Sequence, residues 1–123
     1  MKTSLITPIS DCTGIYGIYV DDVLVYIGKT TQSFQKRFLQ HKHNMDYPED
    51  STTQYDMYYE LAVARAQGSC IQLRPLFIAE YVPYDSLYEF TNRDLESMEF
   101  ALIWYCRPRY NIKGLKQPYK YTH

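Results

Sequence analysis

The chain has 123 residues, of which 46% are hydrophobic and 22% charged, and thirteen Lys and Arg against fourteen Asp and Glu leave a net charge of -1. A chain of this length carries one core and one site, and this composition excludes both a disordered and a membrane-spanning protein. The longest apolar run, Phe100 to Cys106, is far shorter than the roughly 18 residues a spanning helix needs.

The chain is therefore expected to be a single domain over residues 1–123, without a membrane partner. Met1 to Ser10 hold one lysine and no long apolar stretch, which points away from a secretory signal and toward a cytoplasmic location. Cys12, Cys70 and Cys106 have no CxxC spacing, which argues against a disulfide framework and a thiolate zinc site and for reduced, partly buried thiols. Charge is segregated along the chain. Lys29, Lys36, Arg37 and Lys42 fall in a stretch without acids, Arg107 to His123 is again basic, and Asp46 to Glu60 between them is acidic. Two basic segments of this kind can line one anionic groove.

In chain order, Ile15, Ile18 and Val20 run to Asp21-Asp22, and Val23 to Ile27 follow, a pattern that predicts two strands joined by a short acidic turn. Gly28 ends the second strand, Thr30 to Ser33 offer capping oxygens, and Phe34, Phe38 and His41 recur at helical spacing to about Lys42. Asn44 to Thr53 read as a loop, Gln54 to Gln67 as a second helix closed by Gly68, and Ile71 to Val82 as a third strand in which Pro75 demands an edge position or a bulge. Pro83 to Tyr88 connect to a helix over Leu95 to Tyr105, capped near Thr91-Asn92 and stopped by Arg107-Pro108, and the tail after Gly114 reads as irregular. The expected fold is α+β: a small three-stranded antiparallel sheet flanked by helices, in the order ββααβα.

Three features carry chemistry. Glu99 shares the face of its helix with Leu95, Leu102, Ile103 and Cys106, so a carboxylate points toward the core and requires an arginine, a hydrogen-bond cluster or a cation to compensate it. Glu96 lies nearer the rim of that face. Arg37 and His41, four residues apart, flank the Phe34 and Phe38 stripe. Tyrosine is frequent, at 14 residues, and a phenol fills core space or stacks on bases. Gly28-Lys29-Thr30 imitates the end of a phosphate-binding loop, but Val23 stands where that loop requires glycine.

Taken together, Gly14-Ile15-Tyr16, Tyr26-Ile27-Gly28, Arg37-x-x-x-His41, Glu99 and Asn111 resemble the GIY-YIG nuclease family over about residues 13 to 112, with a short basic tail beyond. Met98 to Ile103, continuing to Arg107 and Asn111, look like the stretch around the metal-binding glutamate of the family's repair and restriction members, which favours Glu99 over Glu96. The resemblance implies an endonuclease that hydrolyses DNA phosphodiesters to 5′-phosphate and 3′-hydroxyl ends. It implies Mg²⁺ or Mn²⁺ on Glu99, Arg37 on the scissile phosphate, Tyr26 as a hydrogen-bonding support and Asn111 as a brace for the local backbone. Tyr16 is the base usually proposed in the family. Its ordinary pKa of about 10 then needs a nearby cation, Lys29 or the metal, to lower it, while His41 with an ordinary value of about 6.5 is the rival. Lys36, Lys42, Arg107, Arg109 and Lys113 are the expected DNA contacts. So little chain outside the motif region suggests weak sequence specificity, and a double-strand break would take a dimer or two successive nicks. The alternative is a catalytically inactive module on the same fold that binds nucleic acid or protein.

Overall fold

Two aspartates reverse the chain at the start of the structure's central hairpin. Strands β2 (Gly14–Val20) and β3 (Val23–Thr30) are joined by Asp21 and Asp22, both in the left-handed region at φ 49° and 70°, the backbone that a tight two-residue hairpin requires. The turn is anchored from outside, since the Cys70 N–H donates to the Asp21 carboxylate and the Asp21 N–H to the Cys70 carbonyl. The computed structural model describes residues 3–5, 12–51, 54–79 and 91–114, with side chains described for 12–51, 54–79 and 91–112.

Around this hairpin stand a short strand β1 (Thr3–Leu5), helix α1 (Phe34–Asp46), a 3₁₀ turn (Pro48–Asp50), helix α2 (Tyr55–Ala66), strand β4 (Ile71–Ile78), helix α3 (Asn92–Cys106) and helix α4 (Arg109–Gly114). The sheet runs β1-β4-β2-β3. Its three long strands are antiparallel neighbours, as the hydrophobic pattern indicates, and β1 adds a parallel partner to Ile71–Leu73. Pro75 sits at a bulge, where Ile15 pairs with Phe77 and Tyr16 with Pro75, and beyond the last β4 residue that pairs with β1. Its missing N–H thus interrupts no β1 ladder.

Strand alternation, interrupted by a bulge at Val25 opposite Ile18 and Tyr19, sends side chains to both faces of the sheet. Tyr16, Ile18 and Val25 pack with Phe34, Met45, Met57, Tyr58 and Leu61 of α1 and α2, while Ile15 and Ile27 pack with Leu95 and Ile103 of α3. Ile15, Ile27 and Phe34 are fully buried, each stabilising the fold by about 1.5–3 kcal/mol. Capping sets the helix ends. The Ser33 hydroxyl accepts from the Lys36 N–H at 3.0 Å, and Thr91 and Asp94 form a reciprocal capping box on α3. Arg107 takes a left-handed conformation and ends α3 just before Pro108. Gly68 at φ 101° follows α2.

The structure corrects three local readings. Helix α1 continues to Asp46, and a 3₁₀ turn occupies part of the expected loop. The chain after Pro108 is helical, with the Pro108 carbonyl accepting from Asn111 and Ile112. Cys106 is exposed, because it is the final residue of α3; Cys12 and Cys70 are half-buried, and no disulfide forms. The Pro83 to Tyr88 connector, the end of the third strand beyond residue 79 and the tail after Gly114 lie outside the described residues. Among the described residues no helix is long and apolar enough to cross a membrane.

Candidate active site

Tyr16, Tyr26, Lys29, Arg37, His41 and Glu99 line one cleft of about 430 Å³, joined there by Gln40, Asn44, Asp50, Ser51, Gln54 and Tyr58. Five elements contribute: β2, β3, α1, the segment from the 3₁₀ turn into α2, and α3. Two glycines allow close approaches here, Gly14 of β2 to β4 and Gly28 of β3 to a cleft side chain. Gly14, at φ 151°, lies where a Cβ would meet the Phe77 carbonyl oxygen at 1.9 Å, and a Cβ on Gly28 would come within 2.3 Å of the Tyr16 hydroxyl. Tyr16 pairs with Gly28 across the β2–β3 ladder, so its phenol lies over the bare backbone there.

Behind the cleft wall runs a buried row of hydrogen bonds. The Tyr16 hydroxyl lies 2.6 Å from His41 Nε2, and His41 Nδ1 lies 2.5 Å from the Tyr58 hydroxyl. Burial first, then the neighbouring Tyr26, pushes the Tyr16 phenol well above its ordinary 10, against an opposing pull from Arg37. The cation that acts on Tyr16 is thus Arg37 on α1 rather than Lys29, and within the protein it does not overcome burial. Burial, reinforced by Arg37, lowers His41 to about 3. A shift of this direction favours the neutral ring as a hydrogen-bonding group at pH 7. Tyr26 is also pushed up by burial, and its hydroxyl accepts from Gln54 Nε2 at 3.1 Å.

Arg37 is held by neutral oxygens, donating to Gln40 Oε1 at 2.7 Å and to the Lys29 carbonyl at 3.4 Å. Among the described residues no carboxylate pairs with it directly. Glu99 is half-buried. Burial raises its carboxyl above the ordinary range, Glu96 adds to this, and Lys29 and Arg37 oppose it. Among the described residues its oxygens have no hydrogen bond or ion pair. Lys29 instead reaches the exposed Glu96 at 3.7 Å. A half-buried carboxylate without a direct partner, sharing a cleft with an arginine that among the described residues has no carboxylate partner, is an arrangement able to take up a cation on one side and an anion on the other.

The remaining sites fall elsewhere. Asn111 Oδ1 accepts from the Ile27 N–H at 2.7 Å and Asn111 Nδ2 donates to the Ile27 carbonyl at 2.9 Å, so the side chain clips β3 from outside the cleft. Lys36 and Lys42 are exposed on α1. Arg107 is exposed and lies over Trp104. Arg109 pairs with Glu60 at 3.4 Å and borders a second, more apolar hollow with Tyr110. The side chain of Lys113 lies outside the described residues. Sequence reasoning missed Gln40, Asn44, Gln54 and Tyr58. The one available signal was Tyr58 on the inward stripe of the second helix, which reads as core; nothing in the order of residues tells that its hydroxyl reaches His41.

No family model and no curated protein matches the sequence. A solved structure does match: bacteriophage T4 EndoII in a glutamate-to-alanine mutant form, with a TM-score of 0.60 and 23% identity, covering 86% of this chain and 78% of that one. The chain thus shares the fold of that phage protein over most of both lengths.

Proposed function

We propose that this protein is a DNA endonuclease of the GIY-YIG kind, dependent on Mg²⁺ or Mn²⁺, which hydrolyses a phosphodiester to 5′-phosphate and 3′-hydroxyl ends. The observation that supports this best is the meeting of Tyr16, Tyr26, Arg37, His41 and Glu99, from four separate elements, on one polar cleft. A purely structural use of these residues would pair Glu99 with Arg37 or Lys29; instead, among the described residues, acid and arginine lack direct ion partners on one cleft.

The donor set suits a hard, hydrated cation. Glu99 offers one carboxylate, and among the described residues no cluster of three His, Cys, Asp or Glu exists to build a closed metal cage. Magnesium commonly takes one or two carboxylates and completes its shell with waters and substrate oxygens. Glu99 would hold such an ion, which would supply positive charge to stabilise the transition state. Arg37 clamps the scissile phosphate through its planar fork of donors. Tyr26, fixed by Gln54, orients the phosphate and the attacking water. Tyr16 takes the proton of that water. Because its phenol resists ionisation, it passes its own proton to His41 in the same motion.

Lys36 and Lys42 would extend phosphate contacts along α1, so affinity should fall as salt rises. The test is nicking of supercoiled plasmid with Mg²⁺. Wild type should nick, and Arg37→Ala should nick about 100-fold or more slowly. Equal binding with no cutting by either would establish the inactive binding module instead. The Gly28 contact gives a second check. Gly28→Ala should displace the Tyr16 hydroxyl, lower stability by about 1–3 kcal/mol and slow nicking about 10- to 100-fold. An alanine variant that nicks at the wild-type rate would show that Tyr16 does not take the proton of the attacking water.

A further inference from the structure

Both nitrogens of the His41 ring end on a phenol, Nε2 at 2.6 Å from Tyr16 and Nδ1 at 2.5 Å from Tyr58. A neutral imidazole has one N–H and one lone pair, so the row has two neutral arrangements. In the first, Tyr16 donates to Nε2 and Nδ1–H donates to Tyr58. In the second, Tyr58 donates to Nδ1 and Nε2–H donates to Tyr16. Moving every hydrogen one place along converts the first into the second.

Charged forms between the two are unfavourable. Among the described residues the groups facing the ring are Tyr16 from β2, Tyr26 from β3, Tyr58 from α2 and Arg37 from its own helix. None is a carboxylate that would stabilise an imidazolium, and burial opposes a phenolate at Tyr16. The far end of the row is not closed off, because Tyr58 borders the same cleft and is hydrogen-bonded there by the side chain of Asn44.

We propose that Tyr58 is a positioning residue acting through His41, the outer end of a proton relay from Tyr16 to His41 to Tyr58 that carries the attacking water's proton away with all three groups neutral. The relay rests on the proposed nuclease function. In one concerted step the water O–H breaks as Tyr16 gains that proton, the former Tyr16 proton goes to Nε2, the Nδ1 proton goes to the Tyr58 oxygen, and the former Tyr58 proton passes to water in the cleft. The water oxygen forms its bond to phosphorus while the bond to the leaving oxygen breaks, and that oxygen takes a proton from solvent. Both phenols then exchange with cleft water and the row resets.

The experiment is a proton inventory of single-turnover nicking in mixtures of H₂O and D₂O, with wild type and Tyr58→Phe, beside ¹⁵N NMR of the His41 ring. Wild type should give a bowed inventory, from several protons in flight, and a neutral ring protonated at Nδ1. Tyr58→Phe keeps the ring volume and removes one oxygen. It should slow kcat roughly 10- to 100-fold with KM for DNA unchanged, straighten the inventory, and shift the ring toward Nε2–H. A straight inventory for wild type, a His41 imidazolium at pH 7, or a Tyr58→Phe enzyme as fast as wild type would overturn the relay alone. Wild type that fails to cut would overturn the nuclease function and the relay with it.

Discussion

Glu99→Gln should reduce Mg²⁺-dependent nicking about a thousandfold or more while leaving the protein folded and bound to DNA. The size follows from the task assigned to this carboxylate, since a cation on a phosphoryl oxygen is worth several kcal/mol of transition-state stabilisation and each 1.36 kcal/mol is about tenfold in rate. What makes the experiment informative is stability. Burial raises the Glu99 carboxyl, so the folded state favours its protonated form. Its contribution is present below the unfolded pKa and lost as pH rises through the folded value. At neutral pH the charge therefore works against folding, and the neutral amide should leave the melting temperature unchanged or slightly higher. A variant as stable as wild type but inactive places the loss in the chemistry. Binding should hold or tighten, because one negative charge leaves a cleft that takes an anion. Nicking by Glu99→Gln within tenfold of wild type would remove the metal from this site.

Stability should also fall steeply as the solution is acidified, with His41 as a main cause. Its pKa drops from 6.5 to about 3 on folding. Between these values the unfolded chain holds a proton that the folded chain does not, so stability is present above about pH 6.5 and is lost as pH falls toward the folded value. The slope approaches about 1.4 kcal/mol per pH unit for one proton. Glu99 titrates with the opposite sign and softens the fall. Urea unfolding of wild type and His41→Gln between pH 7 and 4.5 separates the contributions. The variant should be less stable at pH 7, where it lacks one of the two ring hydrogen bonds, and the gap should narrow by roughly 1.4 kcal/mol for each unit below 6.5. A gap that stays constant with pH would show that the ring is not buried and neutral.

Much of the framework was legible in the order of residues, because the features concerned are local. Alternation around Asp21-Asp22 marks the hairpin, and Ser33 and Thr91 mark helix starts. The observed elements agree at each of these points. Thr3–Leu5 is too short to show a period and becomes a strand through pairing with Ile71–Leu73. Residues 109–114 follow a proline that reads as a stop but also supplies the carbonyl from which the next turn begins. The largest gap concerned titration. An isolated histidine carries its reference pKa of about 6.5, whereas burial among three phenols and an arginine lowers it. Enclosure by residues up to 25 positions away along the chain is a tertiary property, and neither spacing nor composition encodes it.

The clip formed by Asn111 has a consequence for self-association. Strand β3 is the outermost of the described sheet, and an outer strand ordinarily presents unsatisfied main-chain donors and acceptors on which a foreign polypeptide can template itself. The amide of Asn111 occupies both such groups of Ile27, midway between Tyr26 and Gly28. An intruding chain would have to evict it before extending the sheet along the stretch that bears the second motif triplet.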